Sequence, residues 1–216
     1  MPKRTIDHHA SIVIVKAENL FFFNGYDSGY PRAEWRGCLN PLGGNHELGD
    51  ISPLSILERE VNEEMTNPNN KYPNFAEHEA EALRHAIRQS TLPYQDFLVV
   101  DPIIEKNKHL SKEGRSAIVS FYEANVPIQF IDEAYKALKS GKRLVSEGDG
   151  GNIVSIDDLT SGRRYLAWSN PLMMAHFLKK EIPSLREGGA EPIGLPRQAL
   201  EEYLSDFDYI KPIKSA

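Results

Sequence analysis

Three glutamates and an arginine lie close together in one short stretch, where residues 59–64 read Arg-Glu-Val-Asn-Glu-Glu. Residues three and four positions apart share one face of an α-helix, so Glu60, Glu63 and Glu64 would project from the same side. Three carboxylates within one turn repel each other, and a hard divalent cation, which prefers oxygen ligands, relieves that repulsion. The spacing therefore predicts a metal-binding helix face, with a solvated charged face as the alternative.

The residues before this stretch predict the helix that would position the carboxylates. Ser52 and Pro53 form a typical helix start, because serine caps the first N–H groups and proline is tolerated at the first helical position. We expect a helix over about residues 53–66, ended by the prolines and asparagines of residues 67–74. Its core-facing apolar stripe would consist of Leu54, Leu57, Val61 and Met65.

The rest of the chain predicts a mixture of strands and helices. Strand-like runs occupy residues 10–16, 19–24, 96–100, 116–124 and 152–156, with a further strand near Trp35, and helical patterns cover about residues 76–90, 128–139 and 171–180. This order indicates an α/β or α+β sandwich. The loop of residues 25–37, rich in glycine and aromatic residues, could face a ligand.

Composition excludes several classes of protein. The chain has 216 residues, a net charge of −6 and a single cysteine. Its apolar runs are far shorter than the roughly 20 residues that span a bilayer, and no export signal precedes the first strand. One cysteine excludes an internal disulfide framework, and the acidic balance leaves no broad basic surface for nucleic acid. We therefore expect a cytoplasmic protein that has no membrane or nucleic-acid partner.

Residues 44–66 resemble the signature of the Nudix hydrolase family, G-x5-E-x7-R-E-U-x-E-E-x-G-U, in which U is a bulky aliphatic residue. Gly44 stands at the first glycine, Asp50 replaces the first glutamate, and residues 59–64 match the central R-E-U-x-E-E without change. Eight residues instead of seven separate Asp50 from the arginine, and Thr66 stands at the closing glycine. We expect the extra residue to lie in the loop before the helix.

This resemblance implies a Nudix-like α/β/α sandwich with a mixed β-sheet. Residues 1–183 would form the hydrolase domain, with an inserted helical segment at about 67–92, and residues 184–216 would be a C-terminal extension. The implied activity is metal-dependent hydrolysis of a diphosphate linkage in a nucleoside diphosphate derivative. The substrate would be a small-molecule nucleotide such as a nucleotide sugar, ADP-ribose, a dinucleotide or a nucleoside triphosphate, and a homodimer is left open.

The resemblance also assigns roles to residues. Glu60, Glu63 and Glu64 would bind Mg²⁺ or Mn²⁺, and Glu60 or Glu63 would act as the base. Arg59 would join the catalytic group by pairing with Glu47 or Glu63 and holding the loop against the helix. Gly43 and Gly44 would lie at the substrate.

Residues outside the signature could complete the site. Family members often supply a further acidic ligand from a loop, and Glu147 is our candidate, with Asp149 beside it and Glu123 as a weaker option. An ordinary acidic glycine turn is the alternative reading of residues 146–151. Trp35, Tyr26 and Tyr30 could stack on a base, or they could simply pack in the protein.

A second function from another class remains open on the sequence. A Nudix-fold module could bind or sense a nucleotide without hydrolysing it. The complete central carboxylates favour the enzyme, whereas the altered ends of the signature favour the binding module.

Overall fold

A computed structural model describes residues 6–100, 116–184 and 210–212 of the chain. The strands in these ranges are β1 (Ile6–Ala17), β2 (Leu20–Gly25), β3 (Leu39–Asn40), β4 (Leu42–Asn45), β5 (Thr91–Val100), β6 (Ser116–Asn125), β7 (Asn152–Ser155) and β8 (Ile210–Pro212). The helices are α1 (Pro53–Glu64), α2 (Glu77–Ser90), α3 (Ile128–Lys139), α4 (Ile156–Thr160) and α5 (Asn170–Leu178). The predicted helices at 76–90 and 128–139 are confirmed within one residue.

Strand β1 is the centre of one mixed sheet with the order β3-β2-β1-β6-β5-β8. It runs parallel to β6 and antiparallel to β2 and β4, which share its other edge. The N-terminal part of β1 pairs with β4, where Ile12 lies opposite Gly43, and its C-terminal part pairs with β2, where Val15 lies opposite Phe22. Strand β4, which leads into α1, is thereby fixed beside the middle of the sheet.

Alternating side chains of β1 divide the hydrophobic core into two layers. Val13 and Val15 point to one face and pack with apolar residues of α1, α2 and α3. Ile12 and Ile14 point to the opposite face and pack with residues of α4 and α5. Side chains of successive strand residues point to opposite faces, so a continuous apolar run is buried only when both faces are covered. The predicted α+β sandwich with a mixed sheet is confirmed.

Helix α1 begins where the sequence predicts, but its buried face differs from the predicted stripe. Ser52 is the N-cap and Pro53 is the first helical residue. Leu57 and Val61 are buried, whereas Leu54 is 42% exposed and its predicted core position is wrong. The buried residues of the helix are Ile56, Leu57, Val61 and Glu64. At about 100° per residue this arc is centred near Glu64, so α1 is rotated towards its glutamates and Leu54 falls at the edge.

The predicted strand near Trp35 is also wrong. Trp35 ends a short 3₁₀ turn, Ala33–Trp35, and β3 begins only at Leu39. The indole is 3% exposed and packs 5.4 Å from the ring of Trp168, measured between ring centres. Packing of these two aromatic rings therefore takes the place of strand pairing at this position.

The predicted C-terminal extension, residues 184–216, lies mostly outside the described residues. Within it, β8 pairs antiparallel with β5, with Lys211 opposite Leu98. In the described ranges, every helix is too short or too polar to cross a lipid bilayer.

The start of α1 provides a stability test. The Ser52 hydroxyl accepts from the backbone N–H of Ser55 at 3.1 Å, and the Ser55 hydroxyl accepts from the N–H of Ser52 at 2.9 Å. Loss of an N-cap costs about 1 kcal/mol. We expect Ser52→Ala to lower the free energy of unfolding by that amount in urea titrations, whereas Ser28→Ala in an exposed turn should have little effect. Equal effects of the two substitutions would contradict the capping role.

Candidate active site

Two buried serines fix both ends of α1. The Ser11 hydroxyl, on β1, donates to the backbone carbonyl of Pro53 at 2.6 Å. At the other end, the backbone N–H of Ser146 donates to the carbonyl of Glu64 at 2.7 Å, and its hydroxyl donates to the carbonyl of Glu63 at 3.2 Å. Ser146 begins the loop of residues 146–151, so the last turn of α1 lies against this acidic loop. Nothing in the local sequence marks either serine.

Glu64 lies at the centre of the buried face of α1. The residue is 5% exposed, and its Oε2 atom has no hydrogen-bond partner in the described part of the chain. Burial raises the pKa of Glu64 well above its usual value, and the charges of Glu147 and Glu60 raise it further. Burial removes the water that would otherwise stabilise an ionised carboxylate in this position. The charge of Glu64 is therefore costly unless a positive partner compensates it.

Glu60 lies one turn earlier, against β4. Its side chain is 17% exposed, and its carboxylate meets Arg59 at 3.0 Å. Burial raises the pKa of Glu60, and the charge of Arg59 opposes this shift. A Cβ atom added to Gly44 would collide with the Glu60 carboxylate, so the glycine allows the helix to lie close to the strand.

Glu147 brings a third carboxylate to this place from the loop of residues 146–151. It is exposed, and its charge raises the pKa values of both Glu60 and Glu64. We refer to Glu60, Glu64 and Glu147 as the carboxylate cluster. The other two acidic candidates are engaged elsewhere: Asp149 accepts from the side chain of Asn152 at 2.9 Å, and Glu123 pairs with Lys16 at 3.1 Å.

Arg59 connects α1 to the loop that precedes it. Its guanidinium donates to both carboxylate oxygens of Asp50, at 3.1 and 3.3 Å, and to the carbonyl of Asn45 at 2.8 Å. The Arg59 hydrogen bond holds the pKa of Asp50 below its usual value. Both expected ion pairs are present, with Glu63 at 3.2 Å and with Glu47 at the longer distance of 3.9 Å. The principal partner, Asp50, was not expected from the sequence.

Glu63 differs from Glu60 and Glu64 in its surroundings. Its side chain is 59% exposed and turns towards Arg59 instead of lying in the buried centre of the helix face. Its charge still contributes to the raised pKa values of Glu60 and Glu64. The structure therefore places Glu63 at the rim of the carboxylate cluster, with Arg59 partly neutralising it.

The three residues predicted at the substrate lie in different surroundings. Gly43 and Gly44 are in β4, opposite Ile12 and Ser11 of β1. A Cβ atom on Gly43 would collide with the backbone of β1. Gly43 thus allows β4 to lie close to β1, and Gly44 allows α1 to lie close to β4. Trp35 is buried, and the ring packed on it, Trp168, is the more exposed of the two. Trp168 is not among the residues that the sequence predicts at the site.

The donor set of the carboxylate cluster suits a hard divalent cation. Carboxylate oxygens are the ligands that Mg²⁺ and Mn²⁺ favour, and the buried Oε2 of Glu64 lacks a protein partner within the described residues. Across residues 6–100, 116–184 and 210–212, no three acidic, histidine or cysteine side chains converge into a ready metal cage. Mg²⁺ commonly binds through one or two carboxylates together with water and substrate phosphates, so such a cage is not required.

No family model and no curated protein matches the chain. Among solved structures, a MutT/Nudix family protein from Listeria innocua is 15% identical, with a TM-score of 0.44 over 82% of this chain and 94% of that one. A MutT protein from Bacillus halodurans is 13% identical, with a TM-score of 0.41 over 81% and 84%. A bifunctional NMN adenylyltransferase/ADP ribose pyrophosphatase from Francisella tularensis is 11% identical, with a TM-score of 0.44 over 83% and 42%.

Proposed function

We propose that this protein hydrolyses a diphosphate linkage in a nucleoside diphosphate derivative and requires Mg²⁺ or Mn²⁺. The observation that carries the proposal is the buried Glu64 carboxylate, which has an unpartnered oxygen in the described structure and whose pKa is raised by burial and by neighbouring glutamate charges. A bound cation would compensate all three charges. It would also draw the anionic phosphates of a substrate to an otherwise acidic surface.

The metal ligands in this proposal are Glu60, Glu64 and Glu147, with Glu63 at the rim. When bound, the cation would neutralise the diphosphate and lower the pKa of a coordinated water molecule. Glu60 is the preferred base over Glu63, because its carboxylate lies against Gly44 of β4, whereas the Glu63 side chain is 59% exposed at the rim. Arg59 acts by positioning, since it fixes the preceding loop to α1 through Asp50.

The covalent change is a displacement at phosphorus. The water oxygen forms a new P–O bond, the bridging P–O bond breaks, and Glu60 accepts a proton from the attacking water. Two phosphate-terminated products result, and one of them carries the oxygen from water.

The test is a hydrolysis assay with ADP-ribose, dinucleoside polyphosphates, NADH, nucleotide sugars and nucleoside triphosphates. We expect one group of these compounds to be cleaved with Mg²⁺ or Mn²⁺, and cleavage to stop in excess EDTA and to resume when metal is restored. In ¹⁸O-labelled water, one product should carry a single label. Full activity in EDTA would exclude the proposed role of the cation.

A non-hydrolytic nucleotide-binding module is the second candidate. It is favoured by the ion pairs of Arg59 with Glu60 and Glu63, which already neutralise part of the helix face. This candidate predicts metal-dependent retention of an intact nucleotide and no labelled product. The same labelling experiment therefore separates the two functions.

A further inference from the structure

Four aromatic side chains form a second cluster, and one arginine lies against it. Tyr26 and Tyr30 stack with ring centres 3.8 Å apart and planes inclined by 18°. The Trp168 indole N–H donates to the Tyr26 hydroxyl at 2.9 Å, and Trp168 packs on the buried Trp35. We call Tyr26, Tyr30, Trp35 and Trp168 the aromatic cluster. Tyr26, Tyr30 and Trp168 are only partly buried, so the cluster reaches the surface.

Trp168 is held in an unusual backbone conformation. Its φ angle is +55°, a left-handed value that bulky side chains rarely adopt and that persists only when the surroundings enforce it. Those surroundings are visible on both sides of the residue. The N–H of Ala167 donates to the carbonyl of Leu39 at 2.9 Å, and the Asn170 side chain donates to that of Asn40 at 3.0 Å. The fold thus orients this indole at a conformational cost.

Arg32 covers one face of the Trp168 ring. The central carbon of its guanidinium lies 4.6 Å from the ring centre. A guanidinium is flat and polar and stacks on aromatic rings, so it occupies the place that another flat polar group could take. Stacking of a nucleobase on an aromatic ring is generally stronger than an exposed cation–π contact. A base could therefore displace Arg32 from this face.

The aromatic cluster adjoins the carboxylate cluster. The backbone N–H of Asp149, in the loop that carries Glu147, donates to the carbonyl of Gly25 at 2.8 Å, and Tyr26 is the next residue. Burial is the main cause of the raised pKa of Tyr26, and the charge of Glu64 contributes to it. A ligand that reaches both clusters would present phosphates to one and a flat ring to the other.

We propose that the face of Trp168 that Arg32 covers, supported by Tyr26 and Tyr30, is the stacking subsite for the base of the substrate, and that a bound base takes the place of Arg32 there. This inference rests on the proposed function for the identity of the phosphate site. It assigns Trp168 as the residue that distinguishes diphosphates with a planar heteroaromatic ring from diphosphates that lack one. Diphosphates that lack such a ring would bind more weakly.

The experiment measures binding without hydrolysis. AMP and ribose 5-phosphate, neither of which contains a diphosphate, are titrated into the full chain in EDTA while tryptophan fluorescence is followed. The chain contains two tryptophans, of which Trp168 is the more exposed, so AMP should produce saturable quenching and ribose 5-phosphate should not. Because this readout needs neither metal nor cleavage, it stands even when no compound is hydrolysed.

Equilibrium dialysis of AMP against variants tests the residue directly. Trp168→Leu should weaken AMP binding about tenfold or more, and Trp168→Phe, which retains a ring, should stay within about threefold. Tyr135→Leu is the matched control, because Tyr135 is an exposed ring on α3 covered by Lys139 at 5.3 Å, and it should bind AMP normally. Equal binding of AMP and ribose 5-phosphate by the unmodified protein, or undiminished AMP binding by Trp168→Leu, would overturn the proposal.

Discussion

Glu64→Gln is expected to abolish most hydrolysis while leaving the protein at least as stable as before. Glutamine keeps the shape of the side chain but removes the charge that would hold the cation, and metal catalysis contributes several kcal/mol, on the order of 10³-fold in kcat. The same charge is buried and short of a partner within the described residues, so its removal relieves repulsion from Glu60 and Glu147. Steady-state kinetics and thermal unfolding measure the two effects.

The opposite signs of these effects make the result diagnostic, since a merely structural role would lower stability and activity together. Glu58→Gln provides the control, because Glu58 is an exposed glutamate of the same helix and its loss changes the net charge equally. It should keep kcat within about twofold. The kcat of Glu63→Gln should lie between the kcat values of Glu64→Gln and Glu58→Gln, since Glu63 is exposed at the rim of the carboxylate cluster and pairs with Arg59. Near-normal kcat in Glu64→Gln would refute the proposed mechanism.

Gly44→Ala is expected to lower activity about 100-fold in a protein that still folds. The added methyl group would meet the Glu60 carboxylate, which is the far end of a flexible side chain and can move aside. A displacement of a catalytic group by about 1 Å can cost 10²-fold in rate. Kinetics should therefore show a loss in kcat, while the urea midpoint of unfolding changes little.

Gly43→Ala is the comparison that separates packing from catalysis. Its methyl group would meet the Ser11 carbonyl and the Ile12 backbone, and Gly43 has a φ angle of +132°, which L-residues rarely adopt. Neither obstacle can move without shifting β1, so we expect a loss of about 2–4 kcal/mol in unfolding free energy. If both alanine variants unfold at the same urea concentration, the assignment of distinct roles to the two glycines is wrong.

Local features of the chain were sufficient to predict α1, α2 and α3. Capping by Ser52, proline at the first helical position and apolar residues at spacings of three and four act over a few residues, so they are visible in sequence. The R-E-V-N-E-E stretch likewise placed three carboxylates on one helix, because helical geometry fixes the relation between neighbouring turns.

The rotation of α1 could not be predicted from those features. The apolar stripe suggested that Leu54 faces the core and that the glutamates lie beside the stripe. In the structure Leu54 is exposed and Glu64 is buried. The hydroxyl of Ser11 and the two hydrogen bonds from Ser146 fix the ends of the helix in this orientation, and the small volume of Gly44 lets Glu60 approach β4.

The sequence by itself determined the helix that carries the glutamates and the types of charged groups available for chemistry, but not the strands β3 and β4 beside it. Tertiary structure decided which of them meet: Ser146 reaches the Glu63 carbonyl across 83 positions, bringing Glu147 with it, and Trp168 reaches Tyr26 across 142. Tertiary structure also decided that the Glu64 carboxylate is the one removed from solvent, so that this charge most needs a cation to compensate it. Helix caps and periodicity arise from interactions between near neighbours, whereas burial of a charge depends on how distant segments pack around it.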